Sequence, residues 1–241
     1  RALHSGSPAL ATTMTMISSS ASTAIAIFVK TPGLSPLKTR LAATLGRHTA
    51  ETIYRLCVSA VEQTVKSVDV APYWAVAEQK GLSDPLWQGL ASLYTGPGGL
   101  GQCQHHIYQT LLQRYQQVLL IGTDSPQLSV NRLREAIEAL QSHPFVVGPA
   151  LDGGYYLFAG RQSLKRECWN KVPYSRADTG EKLLSSLPAK AALLTPMTDL
   201  DRESDLPQLR RELVALQKQG EGLSRPQQQI LNWLDNQQYP S

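Results

Sequence analysis

Val118-Leu-Leu-Ile-Gly-Thr-Asp-Ser-Pro-Gln-Leu128 (VLLIGTDSPQL) decides the fold. Its first four residues are apolar and too few for a helix, so they read as a strand buried on both faces. Gly122 ends the run and Asp124 follows at the strand's carboxyl end. Downstream, Val130–Leu140 repeats apolar residues at helical spacing, and upstream Gln104–Tyr115 does the same. Further out, Ala24–Val29, Tyr73–Ala77 and Ala91–Tyr94 read as strands, with Leu41–Val65 a largely helical stretch between the first two. Phe145–Val147, Tyr155–Phe158 and Ala191–Leu194 add strands, and Thr179–Leu187 a helix. Strand–helix alternation without an internal repeat predicts an α/β fold, a mostly parallel central sheet with helices on both faces. Ligands of such sheets lie beyond the carboxyl ends of the strands.

The composition narrows the functions. With 241 residues, 42% of them hydrophobic and 17% charged, the chain has enough apolar mass for a sizeable core. No uncharged apolar run approaches the ~18 residues of a membrane span. A net charge of +4 suits an anionic small molecule and is too diffuse for nucleic acid. Three cysteines without paired spacing exclude a disulfide scaffold and a zinc ribbon, and fit a reducing cytoplasm. The adjacent His105 and His106 diverge by about 100° on a helix and cannot easily share a metal. Trp74, Trp87 and Trp169 are expected in the core. Residues 1–22 are small, polar and aperiodic, and are expected to be a disordered lead or a cloning remnant. Residues 23–209 are expected to form the domain and 210–241 a helical extension packed on it.

Three segments carry chemistry. Lys30-Thr-Pro-Gly-Leu-Ser-Pro-Leu-Lys-Thr-Arg40 follows the first strand and opens into a helix. Lys30, Lys38 and Arg40, with Thr39 between the last two, suit a diphosphate at that helix's amino end, although solvated charges on an ordinary loop fit equally well. Neither the Walker nor the dinucleotide glycine spacing is present. Asp124 is placed to hold Mg²⁺ or Mn²⁺, with phosphates and water completing the shell. It also has the look of a helix cap, a role that Ser129 can take instead. Asp152-Gly-Gly-Tyr-Tyr156 is a strong hairpin signal. Tyr155 and Tyr156 alternate across a strand, one toward a ligand and one into the sheet, and Gly153 and Gly154 let a ligand approach the backbone.

Taken in order, FVKTPGLSPLKTRLAATLG, LLIGTDSPQL, VVGPALDGGYYLFAG and TDLDRESDL resemble the GT-A-type nucleotide-diphospho-sugar transferase superfamily. More narrowly they resemble the radical-SAM/selenodomain-associated glycosyltransferases of arsenosugar-biosynthesis type, over roughly Ile25 to Leu209. The resemblance implies that Lys38 and Arg40 bind phosphates, that Asp124 binds the metal, and that Asp152 is the catalytic acid on the acceptor side, beside Gly153, Gly154 and Tyr155. Asp199 and Asp201 match the family's Asp-x-Asp near its C-terminal strand, although a solvated acidic turn ahead of a helix is the reading taken for them here. The chain departs from the family at Gln102-Cys103, where Glu-Arg is usual, and at Tyr174-Ser175-Arg176, where Trp-Ser-Thr is usual.

The expected function is glycosyl transfer from a nucleotide sugar to a small-molecule acceptor with Mg²⁺ or Mn²⁺, without nucleic acid or membrane. Guanylyltransferases for phospholactate and molybdenum cofactor share a related first loop and central acid, so nucleotidyl transfer stands as the alternative. A nucleotide-binding module without turnover is the third reading.

Overall fold

The strand sequences divide their side chains between two helix layers. In β1 (Thr23–Val29), Ile25, Ile27 and Val29 enter one core while Ala24 and Ala26 enter the other. The same alternation runs through β4 (Gln117–Ile121), with Leu119 and Ile121 on the first side and Val118 and Leu120 on the second. This is the period-2 signature of a sheet covered on both faces. The computed structural model describes residues 21–220 and 222–237. The lead expected over residues 1–22 lies outside them except for Ala21 and Ser22. The Ser22 carbonyl accepts from the Gln116 and Gln117 N–H groups.

Five further strands complete the sheet: β2 (Ala71–Val76), β3 (Ala91–Tyr94), β5 (Phe145–Pro149), β6 (Tyr155–Gly160) and β7 (Ala192–Leu193). Their order is β3-β2-β1-β4-β6-β5-β7. Among the described strands β6 alone runs against the rest, paired antiparallel with β4 and β5. The mostly parallel α/β architecture is as expected, and Val118–Ile121 is interior. Helix α2 (Arg47–Lys66) and α4 (Val130–Ala139) cover the first face; α3 (Leu100–Leu112), α5 (Arg166–Asn170) and α6 (Thr179–Ser186) cover the second. Phe158 meets Tyr108 and Trp169 edge to face in the second core, with Phe158 and Trp169 centroids 4.8 Å apart. All three tryptophans named above are buried.

The chain leaves β1 toward one face and returns to its neighbour β4 from the other, a topological switch point at which the loops part into a crevice. The helix expected over 41–65 is two helices, α1 (Thr39–Leu45) and α2, broken at Gly46, whose φ of 81° lies in the left-handed region. Ser129 caps α4, accepting from Arg132 N, which frees Asp124 from that task.

The last two helices, α7 (Leu206–Lys218) and α8 (Arg225–Asp235), share a third core with α1 and α2. Ile230, Leu231 and Leu234 are buried there with Leu41, Cys57 and Leu200. Gln227 of α8 is buried and its Nε2 donates to the carbonyls of Pro126 and Leu128 at 2.9 and 3.2 Å. The helices that follow the sheet thus hold the loop bearing Asp124. Gln227→Ala is expected to lower unfolding free energy by about 1–3 kcal/mol, the cost of the Pro126 carbonyl losing its donor, while the Leu128 carbonyl keeps Thr64 Oγ1 at 3.1 Å. The less buried Gln228→Ala should change it by less than about 0.5 kcal/mol; urea denaturation of both variants checks this.

Candidate functional site

A cavity of about 820 Å³ opens at the carboxyl ends of β1, β3 and β4. Lys30, Lys38, Thr39, Arg40, Asp124 and Tyr155 all line it. The first loop is fastened from below. Tyr54 on α2 brackets Lys30, its hydroxyl donating to Lys30 O at 2.7 Å and accepting from Lys30 N at 2.9 Å. Thr31 is buried, donates from its N–H to Glu78 Oε2 at 2.8 Å and accepts from Trp87 Nε1 at 3.1 Å. Lys38 closes the loop at φ 44°, ψ 44°, a left-handed conformation that costs a non-glycine residue roughly 1–2 kcal/mol.

That backbone geometry accompanies a buried ammonium. Lys38 Nζ donates to Asp124 Oδ1 at 2.6 Å and to the Leu200 carbonyl, with its side chain 4% exposed against 44% for Asp124. Burial is the largest single influence and opposes the charge, but Asp124 leads the neighbours that together outweigh it and raise the Lys38 pKa above its ordinary value. Arg40 reaches Asp201 through Nη1 in a more exposed pair, which also raises its pKa. Helix α1 is only seven residues long, so its dipole adds little here, and the positive potential of the loop rests on these side chains.

Asp199 and Asp201 correct the sequence reading, since both line the cavity instead of forming a solvated turn. The Asp199 carboxyl is pushed up to about 8, first by burial and then by Asp124, with Lys38 opposing. Their segment lies against the central loop: Leu200 N donates to Asp124 O at 2.7 Å, and Ser125 Oγ donates to Thr198 O at 2.9 Å. Glu212 of α7 secures it, accepting from Thr198 N at 3.1 Å, Thr198 Oγ1 at 2.8 Å and Gln127 Nε2 at 2.7 Å. The Asp-x-Asp spacing was the available signal; Glu212 carried none, being one acid on an amphipathic helix.

Asp152, Gly153 and Gly154 do not line the cavity. Asp152 is exposed, and its Oδ1 accepts from Gly154 N at 2.9 Å inside the β5–β6 turn. The glycines serve packing. A Cβ on Gly153, which has φ 91°, would stand 1.8 Å from Ala177 O, and one on Gly180 would stand 2.8 Å from Gly154 O. The turn is therefore pressed against the start of α6, with Gly180 N donating to Gly153 O at 2.8 Å. Asp152 acts on the cleft only through its charge, felt by Asp199 and Arg40.

The opposite wall holds Gln104, Tyr155 and Cys103. Tyr155 OH donates to Gln104 Oε1 at 2.6 Å, which leaves the amide Nε2 of this buried glutamine as the free donor. Tyr155 packs in the second core and Tyr156 in the first, and both reach the cavity. The two departures from the family pattern are accounted for locally. Gln102 Oε1 accepts from Gly99 N at 3.1 Å to start α3, and Arg176 turns away to pair with Asp178 at 3.0 Å, while Ser175, at φ 62°, lines the cavity. Among the described residues no cluster of three or more His, Cys, Asp or Glu side chains suited to a metal is found, and no helix is long and apolar enough to cross a membrane.

The family model described as "Uncharacterized protein conserved in bacteria (DUF2064)" matches residues 56–176, about half of the chain. Among solved structures, a protein of Desulfovibrio desulfuricans G20, provisionally described as a nucleotide-diphospho-sugar transferase, superposes with a TM-score of 0.78. Identity is 22%, over 90% of this chain and 96% of that one. The 4-diphosphocytidyl-2C-methyl-D-erythritol synthase of Anaerococcus prevotii DSM 20548 gives a TM-score of 0.53 at 11% identity, over 82% of this chain and 99% of the synthase. The bifunctional IspDF of Campylobacter jejuni gives 0.52 at 10% identity, over 78% and 54%. At these identities the likeness is one of fold. No curated protein matches the sequence.

The three thiols give a footprint of the cavity. Cys57 is buried and its pKa is pushed up to about 12 by that burial, so at pH 8 it should resist a thiol reagent until the chain unfolds. Cys103 and Cys168 are partly exposed and should react. A cavity ligand should slow Cys103 alone, which mass-mapped labelling with and without pyrophosphate measures.

Proposed function

The chain belongs to the DUF2064 family, and we propose that it is a transferase acting on a nucleotide-diphosphate substrate, with sugar transfer as the reaction. The observation that carries this reading is the convergence of three phosphate-seeking cations and two carboxylates on one cleft at the sheet's switch point. Lys30, Lys38 and Arg40 face it from the first loop, Asp124 from the end of β4 and Asp199 from beyond β7. A likeness of fold to a protein provisionally described as a nucleotide-diphospho-sugar transferase, over nine-tenths of the chain, agrees with it, as does the resemblance to arsenosugar-type glycosyltransferases.

The donor set suits a hard cation. Asp124 is half exposed and Asp199 stands beside it, two oxygen ligands crowded toward one space. Mg²⁺ and Mn²⁺ ordinarily take one or two carboxylates and complete the shell with phosphate oxygens and water. Such a cation, held by Asp124 with Asp199, would supply charge neutralisation of the diphosphate.

In the proposed reaction an acceptor oxygen bonds to the anomeric carbon as the bond from that carbon to the diphosphate oxygen breaks. The acceptor's proton is released and the nucleoside diphosphate leaves. Negative charge gathers on the departing oxygen, where Lys38 and Arg40 stabilise it by charge-assisted hydrogen bonds. The tied Tyr155–Gln104 pair offers a fixed donor from the opposite wall.

Nucleotidyl transfer is the second reading, and one observation favours it: Asp152, the acid expected on the acceptor side, does not line the cavity. A phosphate acceptor is already ionised and needs no base to become a nucleophile. The products separate the two reactions. Incubation with UDP-, GDP- and CDP-sugars, and with the nucleoside triphosphates, should release nucleoside diphosphate in the first case and pyrophosphate in the second. In calorimetric titrations with the nucleotide that binds, Asp124→Asn should weaken Mn²⁺-linked binding by about 1–3 kcal/mol, the scale of a lost charged interaction. Lys38→Ala should weaken binding in chelator as well. Unchanged affinity for Asp124→Asn in Mn²⁺ would remove this residue from the site.

A further inference from the structure

Two of the three cations that line the cleft, Lys38 and Arg40, are bonded to acids of the same cleft. Arg40 is paired with Asp201 near the surface, where such a pair is weak. Lys38 is different, because its side chain is buried and its Nζ has two acceptors, Asp124 Oδ1 at 2.6 Å and the Leu200 carbonyl. Beneath it Cys57 is kept a neutral thiol by burial and supplies no anion to the ammonium from the core side. Asp199 adds a further, weaker attraction from the cleft. Asp124 is thus the chief counter-charge of a buried lysine and also the carboxylate best exposed to the cavity.

We propose that Lys38 is a tethered competitor for the cation position on Asp124, so that the site admits a divalent metal only together with the diphosphate that takes Lys38 in exchange. This rests on the reading of the cleft given above. A bare metal ion that takes Asp124 leaves the ammonium buried without its carboxylate, an arrangement that is strongly unfavourable. A metal that arrives with phosphates restores the balance, since a phosphate oxygen replaces Asp124 on Lys38 Nζ while Asp124 turns to the metal. The exchange conserves the charge pairing on both partners. By linkage, metal and diphosphate must then strengthen one another's binding by the same factor. The site would discriminate against free metal and against metal-free diphosphate with a single lysine.

The test reads metal binding without turnover. Mn²⁺ alone is titrated against the full chain and followed by the loss of its free-ion electron paramagnetic resonance signal. Lys38→Gln is expected to bind Mn²⁺ at least fivefold more tightly than the wild type, and Lys38→Met, an apolar side chain of similar length, should repeat the gain. Lys38→Arg keeps the charge and should stay within twofold of the wild type. Adding Asp124→Asn to Lys38→Gln should abolish the gain. In a second measurement, Mn²⁺ should tighten pyrophosphate binding to the wild type at least tenfold by calorimetry, and far less in Lys38→Gln. If wild type binds Mn²⁺–pyrophosphate but neither Lys38→Gln nor Lys38→Met gains affinity for Mn²⁺ alone, the competition is overturned while the site stands. If the wild type binds no Mn²⁺–pyrophosphate and Asp124→Asn changes nothing, the underlying reading falls and the inference with it.

Discussion

The contact between Lys38 and Asp124 is the constraint on which the cleft depends. It joins the loop after β1 to the loop after β4, two segments 86 residues apart that meet because their strands are neighbours in the sheet. Removing either partner would leave the other with an unanswered charge, most severely the lysine, since it is the buried one. The pair also reaches the third segment of the site, because Lys38 Nζ holds the Leu200 carbonyl while Leu200 N returns a bond to Asp124 O. Three loops from distant parts of the chain are therefore closed around one ammonium.

The C-terminal helices belong to this arrangement in a physical sense. Glu212 on α7 gathers Thr198 and Gln127, and Gln227 on α8 gathers Pro126 and Leu128. Their apolar faces meet α1 and α2 over Leu41, Ile53 and Leu200. The first loop and both acid-bearing segments thus rest on a shared hydrophobic wedge. Rigidity in that wedge lets Asp199 stay beside Asp124 with its carboxyl pushed up to about 8 by burial and like charge, a placement that isolated loops would relax by moving apart.

Where local pattern determined structure, the sequence was legible. Val118–Ile121 could only be a buried strand, and Ser129 was the available cap once Asp124 faced the cleft. The parallel sheet followed from alternation of strand and helix, and Lys38, Arg40 and Asp124 from their positions after strands. What escaped depends on tertiary placement. Asp199 and Asp201 look like a solvated turn until β7 pairs beside β5 and brings them to the cleft. The break at Gly46 turns on a positive φ that spacing does not reveal. Gln102 and Arg176 depart from the family pattern, yet one starts a helix and the other finds an exposed partner, whereas Cys103 puts a thiol on the cavity wall where the family pattern has arginine.

The glycines of Asp152-Gly-Gly show how one motif supports two readings with opposite consequences. A ligand lying on bare backbone and a helix pressed against a turn both demand the absence of Cβ. The contacts decide between them here. Ala177 O occupies the space beside Gly153, Gly154 O the space beside Gly180, and Asp152 spends its Oδ1 on the turn's own N–H. The side of the cleft away from Lys38 and Arg40 is accordingly defined by Tyr155 and Gln104, whose hydrogen bond crosses from β6 to α3. That wall offers a neutral amide held by a phenol, whereas the charges of the cleft are concentrated around Lys38. The two walls differ in physical character, and a substrate with an anionic end and an uncharged polar end is the kind of molecule that satisfies both.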